Sequence, residues 1–190
     1  YSIPFDSLTE TQQIVWLRVY GLIFMRLGKA NAEEAEQIRN RLDAEYPSIN
    51  AAINSEILKL LVYGESSNIT GKAVSLLSAA ATQEEQIDIA KTLRHQTLGW
   101  TPESRRTYFK WFLQAANYRG GASFTLFLEN VQKDAVGKLS PQEAEDLKSI
   151  IEKRIEQSNP LNYAKRAVVK EWTVEDLVSL AERDLKGRDF

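Results

Sequence analysis

The apolar residues of this chain recur with the period of an α-helix over almost its whole length. In the stretch 124–135 they fall at i, i+3, i+4, i+7 and i+11, and the stretches 144–155 and 174–185 follow nearly the same spacing. Such spacing places one apolar stripe along each helix. No segment alternates apolar and polar residues for long enough to predict a strand. The pattern therefore predicts an all-α protein.

Capping residues mark the predicted helix starts. The capping-box pattern, a capping side chain followed three residues later by glutamate, occurs at Ser7, Asn31, Thr82 and Ser140. Thr101 and Ser140 also precede prolines, which helices accept in their first turn. Together with the apolar stripes, these signals predict helices over residues 8–27, 32–45, 49–63, 70–81, 83–98, 102–118, 122–136, 141–157 and 174–186.

Four glycines punctuate these helices at nearly regular intervals. They are separated by 36, 35 and 38 residues and lie at Gly28, Gly64, Gly99 and Gly137. Each follows a predicted helix, where glycine can take the left-handed conformation that ends it. A hairpin repeated at this interval is typical of an α-solenoid, and an irregular helical bundle is the alternative. We predict a HEAT-like α-solenoid of about four to five helical hairpins with a right-handed superhelix.

The segment from Gln157 to Trp172 is the least periodic part of the chain. It has the character of a linker that precedes a last amphipathic helix. We therefore predict a helical-repeat domain over residues 1–157. Residues 158–190 are predicted to form a linker and terminal helix that lead toward a further domain.

Composition narrows the possible chemistry. The 190 residues are 43% hydrophobic and 26% charged, with no cysteine and one histidine, His95. The lack of cysteine excludes disulfides, thiolate zinc sites, cysteine nucleophiles and covalent c-type haem attachment within this segment. A single imidazole has no second histidine with which to bind a metal. We expect a non-enzymatic segment with no catalytic residue, no metal and no cofactor of its own.

The most apolar stretch, Ile14–Leu27, predicts a buried helix. It is interrupted by Arg18 and Arg26 and is shorter than the ~20 apolar residues that a membrane span needs. We expect no membrane insertion.

Charge is distributed unevenly along the chain. Residues 1–90 have a net charge of −5, residues 91–120 of +5 and residues 121–190 of −2. The basic segment is also rich in aromatic residues, and arginine with aromatics can bind sugars, phosphates or carboxylates. The candidate ligand-binding residues are Trp100, Arg105, Arg106, Tyr118, Arg119, Gly120 and Gly121. The isoelectric point of about 5.6 argues against a nucleic-acid partner.

Helical spacing divides this basic region. One stripe, predicted to lie in the core, contains Tyr108, Trp111, Phe112 and Ala115. The arginines predicted to be exposed are Arg105, Arg106 and Arg119, and an ordinary solvated face is the alternative to a site. Between the next two helices, Gly120 and Gly121 predict a special turn with Ser123 as the following cap. The free backbone N–H groups of this turn could bind an anion, or the turn could simply be a tight corner between repeats.

Two other patterns have structural interpretations. Residues 66–73 nearly match a phosphate-binding loop but lack its first glycine and its metal-binding hydroxyl, so we interpret them as a turn between helices. Acidic pairs, which could serve a hydrolase, occur at Glu33/Glu34, Glu84/Glu85 and Glu145/Asp146. In the first turn of a helix such charges favour the helix dipole, and we interpret them in that way.

Several strings resemble a HEAT-type helical segment of large secreted bacterial proteins. These proteins join the segment to a c-type cytochrome module and often to a β-propeller of the sugar-dehydrogenase type. The strings are EILKLLVY at 56–63, TQEEQI at 82–87, GWT at 99–101 with RR at 105–106 and YF at 108–109, and YRGGASF at 118–124. The tail, KEWT at 170–173 followed by DL at 176–177 and GRDF at 187–190, resembles the stretch that leads into the haem module.

The resemblance implies context rather than chemistry. It covers roughly residues 50–190 and implies a periplasmic or otherwise extracytoplasmic location and a redox parent protein. The partners would be other domains of the same polypeptide or another protein. We predict a non-catalytic scaffold that positions a downstream c-type haem domain, and the alternative is a module that binds acidic glycan, phosphate or carboxylate through residues 94–121.

Overall fold

The computed structural model describes residues 3–28, 30–153 and 173–175. Within them the chain forms one 3-10 turn at Phe5–Ser7 and eight α-helices, with no strand, so the all-α prediction is confirmed. The helices are α1 (Glu10–Leu27), α2 (Ala32–Glu45), α3 (Ala51–Tyr63), α4 (Ile69–Ala79), α5 (Gln83–Leu93), α6 (Pro102–Ala115), α7 (Phe124–Val136) and α8 (Pro141–Ile151).

The chain divides into two compact units, Tyr1–Glu156 and Gln157–Phe190. The eight helices lie in the first unit. In the second unit only Thr173–Glu175 are described, so the predicted helix over 174–186 falls almost entirely outside the described residues. The prediction of a linker over 158–172 also falls outside them.

Three of the four predicted capping side chains make their hydrogen bonds at helix starts. Side-chain oxygens of Asn31, Thr82 and Ser140 each accept the backbone N–H three residues on. The cap predicted at Ser7 is wrong, and α1 instead begins with a reciprocal pair between Thr9 and Gln12. The reason is the 3-10 turn before α1, in which the Ser7 hydroxyl donates to the Pro4 carbonyl at 2.7 Å.

A positive φ, which the predicted left-handed conformation requires, is found at two of the four glycines. Gly28 and Gly99 have φ of +84° and +73°. At Gly64 and Gly137 the prediction is wrong, because φ is −75° and −63° there. After α3 the left-handed residue is Glu65 instead, with φ of +58°.

The core is built from the predicted apolar stripes. On α6 the stripe Tyr108, Trp111, Phe112 and Ala115 is buried as predicted. Leu128, Val131 and Ala135 of α7 and Leu147 of α8 are buried as well. Ring contacts continue through α6, where Tyr108 lies 5.3 Å from Phe112, edge to face. Such aromatic pairs add about 0.5–1.5 kcal/mol each to the stability gained from burial alone.

Helices two apart in the sequence contact one another. The odd-numbered helices form the contact series α1 to α3, α3 to α5 and α5 to α7, and the even-numbered series runs from α4 to α6 and from α6 to α8. Sequential neighbours from α2 to α7 also touch. This arrangement puts the start of α6 against α8 and the end of α6 against α5, which positions the candidate residues.

Candidate functional site

The start of α6 holds a buried arginine. Arg105 is only 4% exposed; its Nε donates to Glu143 Oε1 of α8 at 3.1 Å, and its guanidinium lies 4.2 Å from the Trp100 ring centroid. The prediction that Arg105 is exposed is therefore wrong. Residue 105 precedes Tyr108 and Phe112 by three and seven positions, so it lies on the same inward face of the helix.

Trp100 completes this inter-helix cluster. Its indole Nε1 donates to the Gln96 carbonyl at 3.0 Å, and its ring lies 5.3 Å from that of Tyr108. Burial lowers the pKa of Arg105, and the Glu143 carboxylate opposes that shift. Trp100, Arg105 and Glu143 thus hold the loop before α6 and the start of α8 together.

The end of α6 holds a second cluster around Gln86 of α5. The Gln86 side-chain oxygen accepts from Trp111 Nε1 at 3.0 Å and from the Tyr118 hydroxyl. Its amide nitrogen donates to the Ala80 carbonyl at 2.7 Å. The oxygen of this buried amide therefore joins α5 to α6 and the segment after it, and its nitrogen joins α5 to the end of α4.

We expect Gln86→Met to destabilise the fold by about 1–3 kcal/mol, because it leaves the buried Trp111 N–H without an acceptor. Urea denaturation monitored by tryptophan fluorescence measures the loss. A matched control is Gln114→Met, since Gln114 is exposed and its side chain donates to the Tyr118 hydroxyl at 3.0 Å. Equal stability of the two variants would contradict the role given to Gln86.

The chain beyond Tyr118 is also held by α5. The Gln83 side chain accepts the Arg119 N–H at 3.0 Å and donates to the Arg119 carbonyl at 2.9 Å. A Cβ on Gly120 would lie 2.3 Å from the Phe124 ring, so glycine is needed there for space. Neither Gly120 nor Gly121 has a left-handed φ, so the turn needs glycine for space and not for backbone conformation. Ser123 makes no side-chain cap, so that prediction is wrong. The Gly121 carbonyl accepts the Phe124 N–H instead.

The seven candidate residues do not converge on one place. Trp100 lies just before α6, Arg105 and Arg106 lie in its first turns, and Tyr118 to Gly121 lie past its end. At 1.5 Å per residue these groups are roughly 20 Å apart. Three of the six cations in 91–120 are paired with carboxylates, and the exposed ones are Arg106, Lys110 and Arg119. Ligand binding by this region stays a prediction.

His95 lies at the surface after α5. Its Nε2 accepts from Arg94 Nε at 3.0 Å, and Arg94 also pairs with Asp134 of α7 at 3.5 Å. Burial and the Arg94 charge lower the pKa of His95. The described residues contain no group of three or more His, Asp or Glu side chains that could hold a metal ion.

The segment that resembles a phosphate loop has a structural role. Ser66–Asn68 form the turn before α4, while residues from Ile69 onward are helical, so the turn prediction holds for only part of the segment. Lys72 donates to the carbonyls of Asp43 and Tyr46 at the end of α2. Its ammonium therefore caps a helix C-terminus, where a positive charge is favourable.

The acidic pairs lie apart on α2, α5 and α8. Five of the six carboxylates are exposed, and Glu85 is half-buried. The pairs on α2 and α5 occupy first turns, as predicted. For Glu145 and Asp146 the prediction is wrong, because α8 begins at Pro141 and places them in its second turn. This separation leaves the hydrolase interpretation without a shared cleft among the described residues.

Glu143 makes the stability of the α6–α8 contact depend on pH. The Ser140 backbone N–H, which donates to it at 2.8 Å, and the Arg105 guanidinium lower the pKa of Glu143 below 4.5. A carboxyl group whose pKa is lowered by folding stabilises the fold at pH values above its pKa in the unfolded state. That stabilisation is lost as the pH falls through its pKa in the folded state.

We therefore expect the stability gap between the unmodified chain and Glu143→Gln to be largest at neutral pH and to shrink below about pH 4.5. Urea denaturation at neutral pH and at about pH 3 measures it. Glu145→Gln is the matched control, because Glu145 is exposed on the same helix. A gap that grows on acidification would contradict this prediction.

Helix α1 is buried on only one side, so the prediction of a buried helix is wrong for its other side. The apolar stretch Ile14–Leu27 predicted a buried helix, but large side chains on its outer side are exposed, including Val15, Leu22 and Met25. The sequence does indicate this exposed side, because the apolar residues of α1 surround the helix and do not form one stripe. Among the described residues, none of the helices has the length and apolarity to cross a membrane.

Comparisons of the chain with protein-family models, with characterised proteins and with solved structures found no match.

Proposed function

We propose that this chain is a non-catalytic helical-repeat module that positions other domains or proteins. The observation that supports the proposal is the alternation of helix contacts, with α3 between α1 and α5, and α6 between α4 and α8. In a helical-repeat array each unit packs only on its neighbours, and the resulting extended surface serves binding. In this proposal the array is a HEAT-like solenoid of about four to five hairpins with a right-handed superhelix.

The use of polar side chains supports the same proposal. Arg105, Glu143, Gln86 and Lys72 are the kinds of residue that can serve catalysis or ligand binding. In this chain each bonds a neighbouring helix or the end of one. Their chemistry is thus used to hold hairpins together.

The wider context belongs to the proposal as well. The strings at 56–63, 82–87 and 118–124 resemble segments of secreted bacterial proteins with a c-type cytochrome module. We propose that the module works outside the cytoplasm and positions a c-type haem domain against its electron-transfer partner. The haem would be carried by that other domain.

The coding sequence after Phe190 tests this context directly. The proposal expects a CxxCH haem-attachment motif shortly downstream, and a continuation without one would contradict it. In the intact protein, exchange of this chain for a flexible Gly/Ser linker of equal length is expected to slow electron transfer to the partner. The haem spectrum is the control and should not change. An unchanged transfer rate would show that the chain does not position the haem domain.

A further inference from the structure

The outer face of α1 is apolar and uncovered. Six large apolar side chains on this one helix are between 42% and 82% exposed, and they are Val15, Val19, Leu22, Ile23, Met25 and Leu27. Monomeric soluble proteins rarely expose contiguous apolar patches larger than a few hundred Å², and larger ones mark interaction sites. The buried side of α1, with Leu17 and Phe24, already packs against the core.

An open groove runs beside this face, between α1 and α3. It has a volume of about 420 Å³, and its apolar walls include Leu22 and Met25 of α1 and Leu60 of α3. Gly21 also lines it, and the nearest atom to a Cβ built there is 4.0 Å away. The lack of a side chain at Gly21 lets the backbone of a partner approach closely.

The rim of the groove carries a surplus of positive charge. Arg18 and Lys59 lie on it, and both interact with its acid, Glu56, at 3.2 and 3.5 Å. Arg26, in the last turn of α1, adds a third cation to this end of the helix, although it does not line the groove itself. These three cations exceed the one carboxylate, Glu56, by two positive charges, which a negatively charged partner can neutralise.

We propose that the occupant of this face is an amphipathic α-helix whose apolar stripe is flanked by acidic residues. Val15, Val19 and Leu22 follow the spacing i, i+4, i+7, which forms a ridge that a second helix can pack against. Acidic flanks would match the cations of Arg18 and Arg26.

A second copy of the chain fits this face less well. Helix α1 contains two cations, Arg18 and Arg26, and one carboxylate, Glu10, which already accepts from Asn50 Nδ2 at 2.9 Å. Two α1 helices would therefore bring a surplus of positive charge together. The inference rests on the proposed role as an interaction module and specifies the chemistry of the partner.

The test uses two synthetic helical peptides of about 20 residues, roughly 30 Å long, with the same leucine stripe. One has glutamates beside the stripe and the other has lysines. Fluorescence anisotropy is expected to show saturable, salt-sensitive binding of the acidic peptide and at least about tenfold weaker binding of the basic one. Leu22→Asp should weaken the binding of the acidic peptide by about tenfold or more, as expected when an anchor residue of the interface is lost.

Leu126→Asp is the matched control, since Leu126 is an equally exposed leucine on α7, and this variant should bind like the unmodified chain. Circular dichroism checks that both variants remain folded. Equal affinity for the two peptides, no binding, or no effect of Leu22→Asp would overturn the inference.

Two measurements distinguish other occupants. Binding to phosphatidylglycerol vesicles that exceeds peptide binding and is lost in Leu22→Asp would overturn the inference in favour of a lipid surface. A dimer seen by light scattering and abolished by Leu22→Asp would overturn it in favour of a second copy. Failure of peptide binding together with a CxxCH motif after Phe190 would reject this partner while leaving the proposed function standing.

Discussion

Replacement of Gly99 by alanine is expected to lower the free energy of unfolding by about 3 kcal/mol or more. Gly99 has φ of +73°, a conformation that costs an L-residue roughly 1–2 kcal/mol. A Cβ there would also lie 1.9 Å from the Ser67 carbonyl oxygen. Relief of this contact requires movement of backbone in the turn before α4 or the loop before α6. Urea denaturation with linear extrapolation measures the loss.

Gly71→Ala is the matched control for this prediction. Gly71 lies inside α4, and a Cβ built there has no neighbouring atom within 4 Å. Alanine is favoured over glycine within a helix by roughly 0.5–1 kcal/mol, so this variant should be more stable than the unmodified chain. If Gly99→Ala were as stable as Gly71→Ala, the close approach of the two turns would be contradicted.

Arg105→Ala is expected to destabilise the protein by about 2–4 kcal/mol. The substitution removes a charged hydrogen bond to Glu143, which contributes about 1.5–3 kcal/mol, and the stacking of the guanidinium on Trp100. The smaller alanine side chain also leaves a cavity between α6 and α8. Arg106→Ala, at the exposed neighbouring position, should change stability by no more than about 0.5 kcal/mol.

A double-mutant cycle between Arg105 and its partner Glu143 separates the structural role of Arg105 from a ligand-binding role. A double-mutant cycle of Arg105→Ala with Glu143→Gln should give a coupling energy of about 0.5–3 kcal/mol, as found for residues in direct contact. No coupling, together with unchanged stability of Arg105→Ala, would restore Arg105 as a ligand-binding candidate.

Helix starts were predictable because their signals are local. Asn31 and Ser140 accept N–H groups only three residues away, so the sequence contains the whole interaction. The end of α5 was not predictable in the same way. It was predicted at residue 98 but lies at Leu93, because Gln96 turns inward and donates to the Ser66 carbonyl at 2.6 Å. That partner is 30 residues distant.

In the candidate site, too, local features were predictable from the sequence and contacts with distant residues were not. The helical period correctly placed Tyr108 and Phe112 in the core, and applied to Arg105 it would have placed that residue there too. Arginine is mostly exposed in folded proteins and is almost never fully buried without a partner. The partner that makes its burial tolerable, Glu143, lies 38 residues away on α8 and could not be identified from periodicity.

The outer face of α1 marks a different limit. An apolar helix can be buried in its own core or against another chain, and the sequence pattern is the same in both cases. Only the packing of α1 on α3 shows which side chains its own fold covers and which, such as Val19 and Leu22, it leaves exposed.

Distances between spin labels on the odd-numbered helices test the stacked arrangement most directly. The chain has no cysteine, so pairs of single cysteines can be introduced at exposed sites near the helix starts, namely Thr11, Ala52, Glu84 and Leu126. Adjacent packed helices lie about 8–10 Å apart, so pulsed electron paramagnetic resonance should show distances from α1 that increase stepwise through α3 and α5 to roughly 25–30 Å at α7. A distance from α1 to α7 as short as that from α1 to α3 would show a closed bundle and contradict the helical-repeat module.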